Sequence, residues 1–369
     1  MSRFQSQPQQ RTTSPSAHHA TTPVMTSRRR ITPRPAAQPE LVVRPFEDAD
    51  EPAAVALLER WLPHWPGDVG AISPAEFFRW KHTASPFGPS TMVVAESGGE
   101  LVGFEGHMPW RLAAHGRELK ASRGTDLCVH PSHRRRGLSV ALRGAVALSD
   151  DVALTWSNPT DESRPGSVRF GRREVGRVSR FIRPGRSLGL IGRRALGARN
   201  PTLNDLVVDD VHAGEVLRRI ADDFDRLSDV MARADRLSTV KDLSYLQWRY
   251  GRFDSYRAVS LAAGRGRGAG LAIFRVRRAG RFWMAELCEL FVEGTDRATA
   301  RKLFNELECA VPVDLSVGSF ASVGDAWSCG FLPYRRGAML VTLPRWETIA
   351  PDPTDRRSWA LSCGDLELL

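Results

Sequence analysis

Three arginines and a glycine, Arg134-Arg135-Arg136-Gly137, are the part of the sequence with the most evident chemistry. An apolar run ends at Val129 before them, and apolar residues at helical spacing start at Leu138 after them. This pattern predicts a strand, a tight turn and the start of a helix. The first N–H groups of a helix have no partner within it and lie at the positive end of its dipole. Because glycine admits an anion and arginines donate paired hydrogen bonds, the turn is predicted to bind a polyanion such as a pyrophosphate.

The same segment resembles motif A of the GNAT superfamily of acyl-CoA N-acyltransferases. That motif reads Arg or Gln, two residues, Gly, one residue, then Gly or Ala, and it usually follows Val-x-Pro. Val129-x-Pro131 precedes the turn here, and Ser139 stands in the last position. The resemblance implies acetyl-CoA, or another acyl-CoA, as co-substrate. It also implies these cofactor-binding residues: Cys128 and Val129 for the pantetheine, Arg134, Arg135, Arg136, Gly137, Leu138 and Ser139 for the pyrophosphate, and Asn158 near the cofactor. For Asn158 an Asx turn before Pro159 is an open alternative.

Acyl transfer to an amine needs a base that takes a proton from the ammonium group. Asp126 on the motif strand and Glu105 on the preceding strand are the candidates, because carboxylates on a central strand are uncommon unless they are paired or functional. An ion pair with Arg123 or a neighbouring arginine is the alternative for Asp126. Many GNAT members use a tyrosine to protonate the leaving thiolate, and Ser167 stands at that place. A tyrosine acid is therefore in doubt for this chain.

The length of 369 residues favours two domains of roughly 150 residues. We predict a basic disordered tail over 1–39, a GNAT acyl-CoA-binding catalytic domain over 40–185, a linker over 186–203 and a degenerate GNAT-like domain over 204–369. The tail carries six arginines before the first acidic residue, Glu40, and is rich in Pro, Ser and Gln, so it cannot bury enough apolar surface to fold. The expected fold class is α/β, with tandem mostly antiparallel mixed sheets flanked by helices.

The two predicted domains share an internal repeat. Trp80 matches Trp248, Gly103 matches Gly270, and Val129 matches Val292, each offset by about 165 residues. The second copy has Glu293-Gly-Thr-Asp296 in place of the basic turn. We therefore expect it not to hold coenzyme A. Tandem arrangement and the closing Trp359-x-Leu-x-x-Gly-Asp further resemble uncharacterised bacterial acyltransferases of the superfamily.

Composition and charge also bear on membrane, metal and nucleic-acid partners. No apolar run has the ~18 residues that a membrane helix needs, so no membrane partner is expected. Five scattered cysteines without a Cys-x-x-Cys pair predict a cytoplasmic chain with no metal site. The net charge of +10 is half in the tail and otherwise diffuse, which argues against nucleic acid.

These observations favour an N-acyltransferase, most simply an N-acetyltransferase, in which a substrate amine attacks the thioester directly. The acceptor is a small-molecule or protein amine, and a homodimer is possible in principle. Two alternatives stay open. One is a non-catalytic acyl-CoA-binding or scaffold protein, and the other is a tRNA-dependent aminoacyl transferase.

Overall fold

The computed structural model describes residues 40–67, 70, 72–185, 202, 211–221, 224, 235–263, 268–292 and 297–366. Three predicted features lie outside these residues: the basic tail, nearly all of the linker, and the acidic segment 293–296. The division into two domains at the linker stays a prediction.

Twelve strands are present in the described residues: β1 Leu41–Pro45, β2 Thr91–Ser97, β3 Glu100–Ala114, β4 Arg117–Val129, β5 Leu154–Ser157, β6 Arg173–Pro184, β7 Ser238–Thr239, β8 Tyr256–Leu261, β9 Gly270–Ala279, β10 Phe282–Val292, β11 Leu315–Gly318 and β12 Leu332–Pro344. The α-helices are α1 Glu51–Trp61, α2 Pro74–His82, α3 Leu138–Ala145, α4 Arg164–Arg169, α5 Ala213–Arg219, α6 Leu243–Tyr250, α7 Arg297–Ala310, α8 Val323–Ser328 and α9 Cys363–Leu366.

Local sequence explains the boundaries of the elements around the motif. Helix α2 starts at a capping box, in which Ser73 accepts from the Glu76 amide and the Glu76 carboxylate accepts from Ser73. Gly98 and Gly99 both have positive φ, of 62° and 84°, as a two-residue turn between β2 and β3 requires. The last two residues of α2, Lys81 and His82, contact Asp126 of β4.

The strands form one mixed sheet in the order β1-β2-β3-β4-β5-β12-β6-β11-β10-β9-β8, with β7 paired beside β3. Strands β4 and β5 are parallel, as are β10 and β11, and the other pairs are antiparallel. The expected fold class, a mixed α/β sheet flanked by helices, is confirmed.

Two strands exchange places between the first half of the chain, residues 40–185, and the second half, residues 211–366. Strand β12 of the second half lies between β5 and β6 and pairs with both. Strand β6 of the first half pairs in turn with β11. The sheet of each half is therefore completed by a strand from the other half.

The two matched tryptophans of the repeat meet at the contact between α2 and α6. The rings of Trp80 and Trp248 stack at 4.9 Å with an interplanar angle of 18°. The Trp80 indole N–H donates to the Trp248 carbonyl at 2.8 Å, and the Trp248 indole N–H donates to the Trp80 carbonyl at 3.0 Å. The two rings thus pack against each other and hold α2 to α6.

Candidate active site

The predicted turn between β4 and α3 has the backbone expected of an anion-binding helix start. Gly137 is the N-cap residue of α3 and has φ 81°. A Cβ atom placed on it would meet no atom within 4 Å, so its backbone is open to a ligand. The arginines of 134–136 are exposed beside it. Leu138 is buried and packs with Leu142 under the sheet, which anchors the helix and leaves the turn itself at the surface.

Strand β4 separates from β5 just before this turn. The parallel pairing ends at Arg123 and Trp156, so among the described residues 124–129 of β4 have no pairing partner on the side that faced β5. On the other side Val129 pairs with Gly103 of β3. The free edge leaves backbone N–H and C=O groups available to an extended amide-containing ligand.

The side chains of the predicted cofactor residues Cys128, Arg134 and Ser139 differ in their contacts and burial. The Cys128 thiol points into the core and approaches the Leu57 carbonyl at 3.8 Å, and burial raises its pKa to about 11. Only its backbone can face a ligand, and a thiolate nucleophile is disfavoured. Arg134 donates from Nε to the Val129 carbonyl at 2.9 Å, which ties the turn to the strand. Ser139 is half-buried on the first turn of α3.

Asn158 makes contacts that the sequence did not predict. Its amide nitrogen donates to the Leu366 carbonyl at 2.6 Å, and its amide oxygen accepts from Arg123 at 3.1 Å. Both partners are far away in sequence, and neither contact is the Asx turn considered above. Asn158 thus fixes the C-terminal helix α9 and Arg123 beside the gap between β4 and β5.

A cavity of about 560 Å³ fills this gap. Its walls come from the loop after α1, residues 62–66, from β4 at 123–127, and from the end of β5 at 157–160. Side chains of α2, α3 and α4 complete it, together with Leu366. It brings the two predicted carboxylates, Glu105 and Asp126, into one space.

Asp126 lies on a β-bulge of β4. Residues 126 and 127 stand opposite the single residue Glu105 of β3, and Asp126 has φ 53°, a left-handed conformation that Asp tolerates better than most residues. One carboxylate oxygen accepts from Lys81 at 2.7 Å, and the other lies 3.0 Å from Nε2 of His82. These two neighbours hold the pKa of Asp126 well below its usual range despite burial. The ion pair considered for Asp126 therefore exists, but its cation is Lys81 of α2 and not an arginine.

Glu105 is in a different environment. It is 1% exposed, and its Oε1 lies 3.5 Å from both Nε2 of His107 and Nε of Arg143, which is too long for a strong hydrogen bond. Its Oε2 is buried and has no hydrogen-bond partner among the described residues. A buried carboxylate oxygen without a partner is costly unless a ligand supplies a donor.

Sequence reasoning missed four site residues that line the cavity, Lys81, Arg123, Arg143 and Arg172, and it missed His82 beside Asp126. Burial is their common signal, because each is at most 4% exposed although all are polar. No motif of the sequence singled them out. Gly106 is a further case, since a Cβ there would stand 2.6 Å from Cε1 of His82, so only glycine leaves room for that ring.

A second cavity, of about 600 Å³, lies beside β10 and α7 in the second half. Lys241 lines it and donates to Glu289 at 2.6 Å and to Asp365 at 3.0 Å. Tyr250 donates to the other Glu289 oxygen at 2.6 Å. Both Glu289 oxygens are therefore occupied, in contrast to those of Glu105.

Two further findings in the described residues concern membrane-spanning helices and metal-binding clusters. No helix in the described ranges is long and apolar enough to cross a membrane. Within the same residues no cluster of three or more His, Cys, Asp or Glu side chains could hold a metal ion.

Comparisons with known proteins agree with the motif. Residues 42–146 match the family model described as the acetyltransferase (GNAT) domain. No curated protein matches the sequence. A GCN5-related N-acetyltransferase from Anabaena variabilis is similar in structure with a TM-score of 0.57 and 11% identity, over 83% of this chain and 73% of that one. A GCN5-related N-acetyltransferase from Kribbella flavida is similar with a TM-score of 0.54 and 15% identity, over 83% of this chain and 71% of that one.

Saccharomyces cerevisiae N-myristoyltransferase, solved with bound myristoyl-CoA, is similar with a TM-score of 0.50 and 14% identity. That similarity covers 87% of this chain and 89% of the yeast chain. At such identities the solved structures establish the fold alone, and the family model covers residues 42–146. Residues 42–146 thus match the GNAT acetyltransferase domain, and the fold of the described residues is similar to that of GCN5-related N-acetyltransferases.

Proposed function

We propose that this protein is an acyl-CoA-dependent N-acyltransferase that most simply moves an acetyl group to a substrate amine. The observation that carries the proposal is the position of Glu105. Glu105 lines a cavity at the separation of β4 and β5, next to the basic helix start, and its buried Oε2 has no partner among the described residues. An ammonium group entering that cavity would give the oxygen its donor and the carboxylate its counter-charge.

The residues present fit an acyl-CoA. The open Gly137 backbone and exposed arginines suit a pyrophosphate, and the free edge of residues 124–129 suits a pantetheine amide. When bound, the co-substrate would supply the thioester carbonyl carbon, at which a C–N bond replaces the C–S bond. The chain provides the position and the proton acceptor.

Glu105 and Asp126 have separate roles in this proposal. Glu105 accepts the proton that the ammonium group must lose before its nitrogen can attack. Asp126 is a positioning residue, because both its oxygens are bound to Lys81 and His82. It fixes the bulge that separates β4 from β5. Ser167 is fully buried and its hydroxyl lies 3.4 Å from the Ser163 carbonyl, so the position of the family's tyrosine acid holds no acid here.

We also propose that the two halves are tandem copies of the domain and that only the first binds acyl-CoA. The sheet order supports this, since β2–β5 followed by β12 mirrors β8–β11 followed by β6. Asp126 with His82 in the first half corresponds to Glu289 with Tyr250 in the second. The second half lacks an Arg-Arg-Arg-Gly sequence after its matching strand.

Calorimetry with acetyl-CoA and a thiol-release assay over a panel of amines test the proposal. Arg134→Ala/Gly137→Glu should abolish binding, because it puts a carboxylate where the pyrophosphate would lie. Arg117→Ala/Gly116→Glu makes the matched change at another exposed turn with positive φ, and it should bind like wild type.

Three outcomes would overturn the proposal or part of it. No acetyl-CoA binding by folded wild type would refute acyl-CoA dependence. Binding without turnover of any amine would point to a sensor or scaffold. Salt-dependent retention of tRNA without acetyl-CoA binding would favour an aminoacyl transferase.

A further inference from the structure

The charged side chains that line the first cavity do not balance. Four are cations and two are carboxylates: Lys81, Arg123, Arg143 and Arg172 against Glu105 and Asp126. Lys81 pairs with Asp126 at 2.7 Å, and Arg143 approaches Glu105 at 3.5 Å. Over the described ranges neither of the other two arginines forms an ion pair with a carboxylate. Among the described side chains that line it, the cavity thus has two more positive than negative charges.

Arg123 is held rigidly by neutral groups. Its guanidinium carbon lies 5.1 Å from the Trp110 ring and 4.7 Å from the Trp156 ring. One nitrogen, Nη2, donates to Asn158 and to the Leu366 carbonyl, each at 3.1 Å. Its other terminal nitrogen, Nη1, is buried with no partner among the described residues. The planar cation is therefore preorganised with donor capacity to spare.

Arg172 is also placed by neutral groups. It donates to the Ser157 hydroxyl at 2.9 Å and lies 3.3 Å from Nε2 of His107. Its guanidinium packs so closely on β4 that a Cβ at Gly124 would stand 3.0 Å from Nη2. In the described part of the chain its Nε has no hydrogen-bond partner. Gly124, next to Arg123, thus brings the second cation against the same strand.

Two buried guanidinium groups that have no carboxylate within ion-pair distance in the described residues are energetically unfavourable. Burial lowers the pKa of Arg123 and of Arg172 to about 10, which leaves both charged at neutral pH. The exposed arginines at 134–136 do not line the cavity, so the pyrophosphate site and these two cations are separate. Within the described part of the chain, these two cations are therefore free to meet an anion other than the pyrophosphate.

We infer that the acceptor is an amine that also carries a carboxylate, of the amino acid class, and that Arg123 and Arg172 bind this carboxylate while Glu105 faces the amine. The inference rests on the proposed acyl transfer for its assay. Arginine suits a carboxylate because its planar N–H groups match the two oxygens. A zwitterion fits the cavity walls, because its carboxylate would meet the two arginines and its ammonium group would donate to Glu105, whose Oε2 has no partner among the described residues.

The test compares acids with matched neutral amines. Glycine, alanine, phenylalanine and glutamate are assayed with acetyl-CoA against their carboxamides, in wild type, Arg123→Met and Arg172→Gln. Wild type should prefer some acid over its amide by about 10- to 100-fold in kcat/KM, the value of a charge-assisted hydrogen bond. In both variants the acid should lose more than the amide, so that the preference shrinks. Arg117→Met, which removes an exposed arginine, should keep it.

Each outcome of these assays either supports or overturns the inference that Arg123 and Arg172 bind a carboxylate. Equal use of acids and amides by wild type, or a preference that persists in both arginine variants, would overturn the inference. Should no amine be acetylated at all, the proposed function fails separately. The carboxylate site is then judged by calorimetric binding of the same acids and amides to wild type and Arg172→Gln. Binding of an acid only to wild type would support it, and no binding of any acid would refute it.

Discussion

Among amide substitutions at the two carboxylates of the cavity, Asp126→Asn should mainly lower stability, whereas Glu105→Gln should mainly lower activity. Asp126→Asn keeps the size of the side chain and suits the left-handed backbone at this position. It removes the charge that two neighbours depend on, at 2.7 Å from Lys81 and 3.0 Å from His82. The side chains of Lys81, His82 and Asp126 are 4%, 0% and 6% exposed, so water can replace little of the lost interaction.

Breaking a buried pair by removing one partner costs about 3–5 kcal/mol. An asparagine oxygen still accepts one hydrogen bond, so we expect about 3 kcal/mol, measured by urea unfolding. Glu105→Gln should change stability by about 1 kcal/mol or less, because its contacts are long, and should lower kcat by about 10²–10⁴ if it is the base. Lys81→Met combined with Asp126→Asn should cost less than the sum of the two single changes.

The opposite pattern would refute the assignment of roles. An Asp126→Asn enzyme that is as stable as wild type but inactive would make Asp126 the base. A Glu105→Gln enzyme with normal activity would exclude Glu105. Activity is compared at denaturant-free conditions where circular dichroism shows each variant to be folded.

Three further predictions concern the same region. Folding lowers the pKa of Asp126, so its stabilising contribution is full above the unfolded pKa of about 3.9 and is lost as the pH falls through the lower folded pKa. The free energies of unfolding of wild type and Asp126→Asn, measured in urea, should therefore converge at acid pH. A difference in these free energies that stays constant down to pH 2 would contradict this. Gly106→Ala should displace His82 and destabilise the fold by about 1–3 kcal/mol, an overpacking cost, whereas an unchanged melting curve would show that the ring has room. Trp80→Phe and Trp248→Phe should each cost about 1–3 kcal/mol, because each leaves a buried carbonyl without its donor, and a double mutant with fully additive losses would argue against coupling between the pair.

Sequence patterns predicted the parts of the site that depend on near neighbours. The strand, turn and helix around Gly137 were all present in order, because the glycine, the arginines and the apolar spacing act within a few residues. Helix α4 at Arg164–Arg169 likewise follows from local sequence, because Pro165 favours a helix start.

Features that depend on distant residues could not be predicted. The cation for Asp126 comes from α2, 45 residues earlier, and nothing local distinguishes Lys81 from an exposed lysine. Strand β12, Leu332–Pro344, belongs to the second half of the chain. Its position between β5 and β6 follows from closing the sheet, which is a property of the whole chain.

The exchange of β6 and β12 sets an order of events during synthesis. Strand β5 carries one wall of the cavity and ends at Ser157, while the strand that covers its outer edge ends at Pro344. At ~5–20 residues per second a ribosome needs on the order of ten seconds or more to make the intervening chain. During that time the edge of β5 is open to pairing with other chains. The first half made alone should therefore be insoluble, and solubility should return when the second half is co-expressed with it.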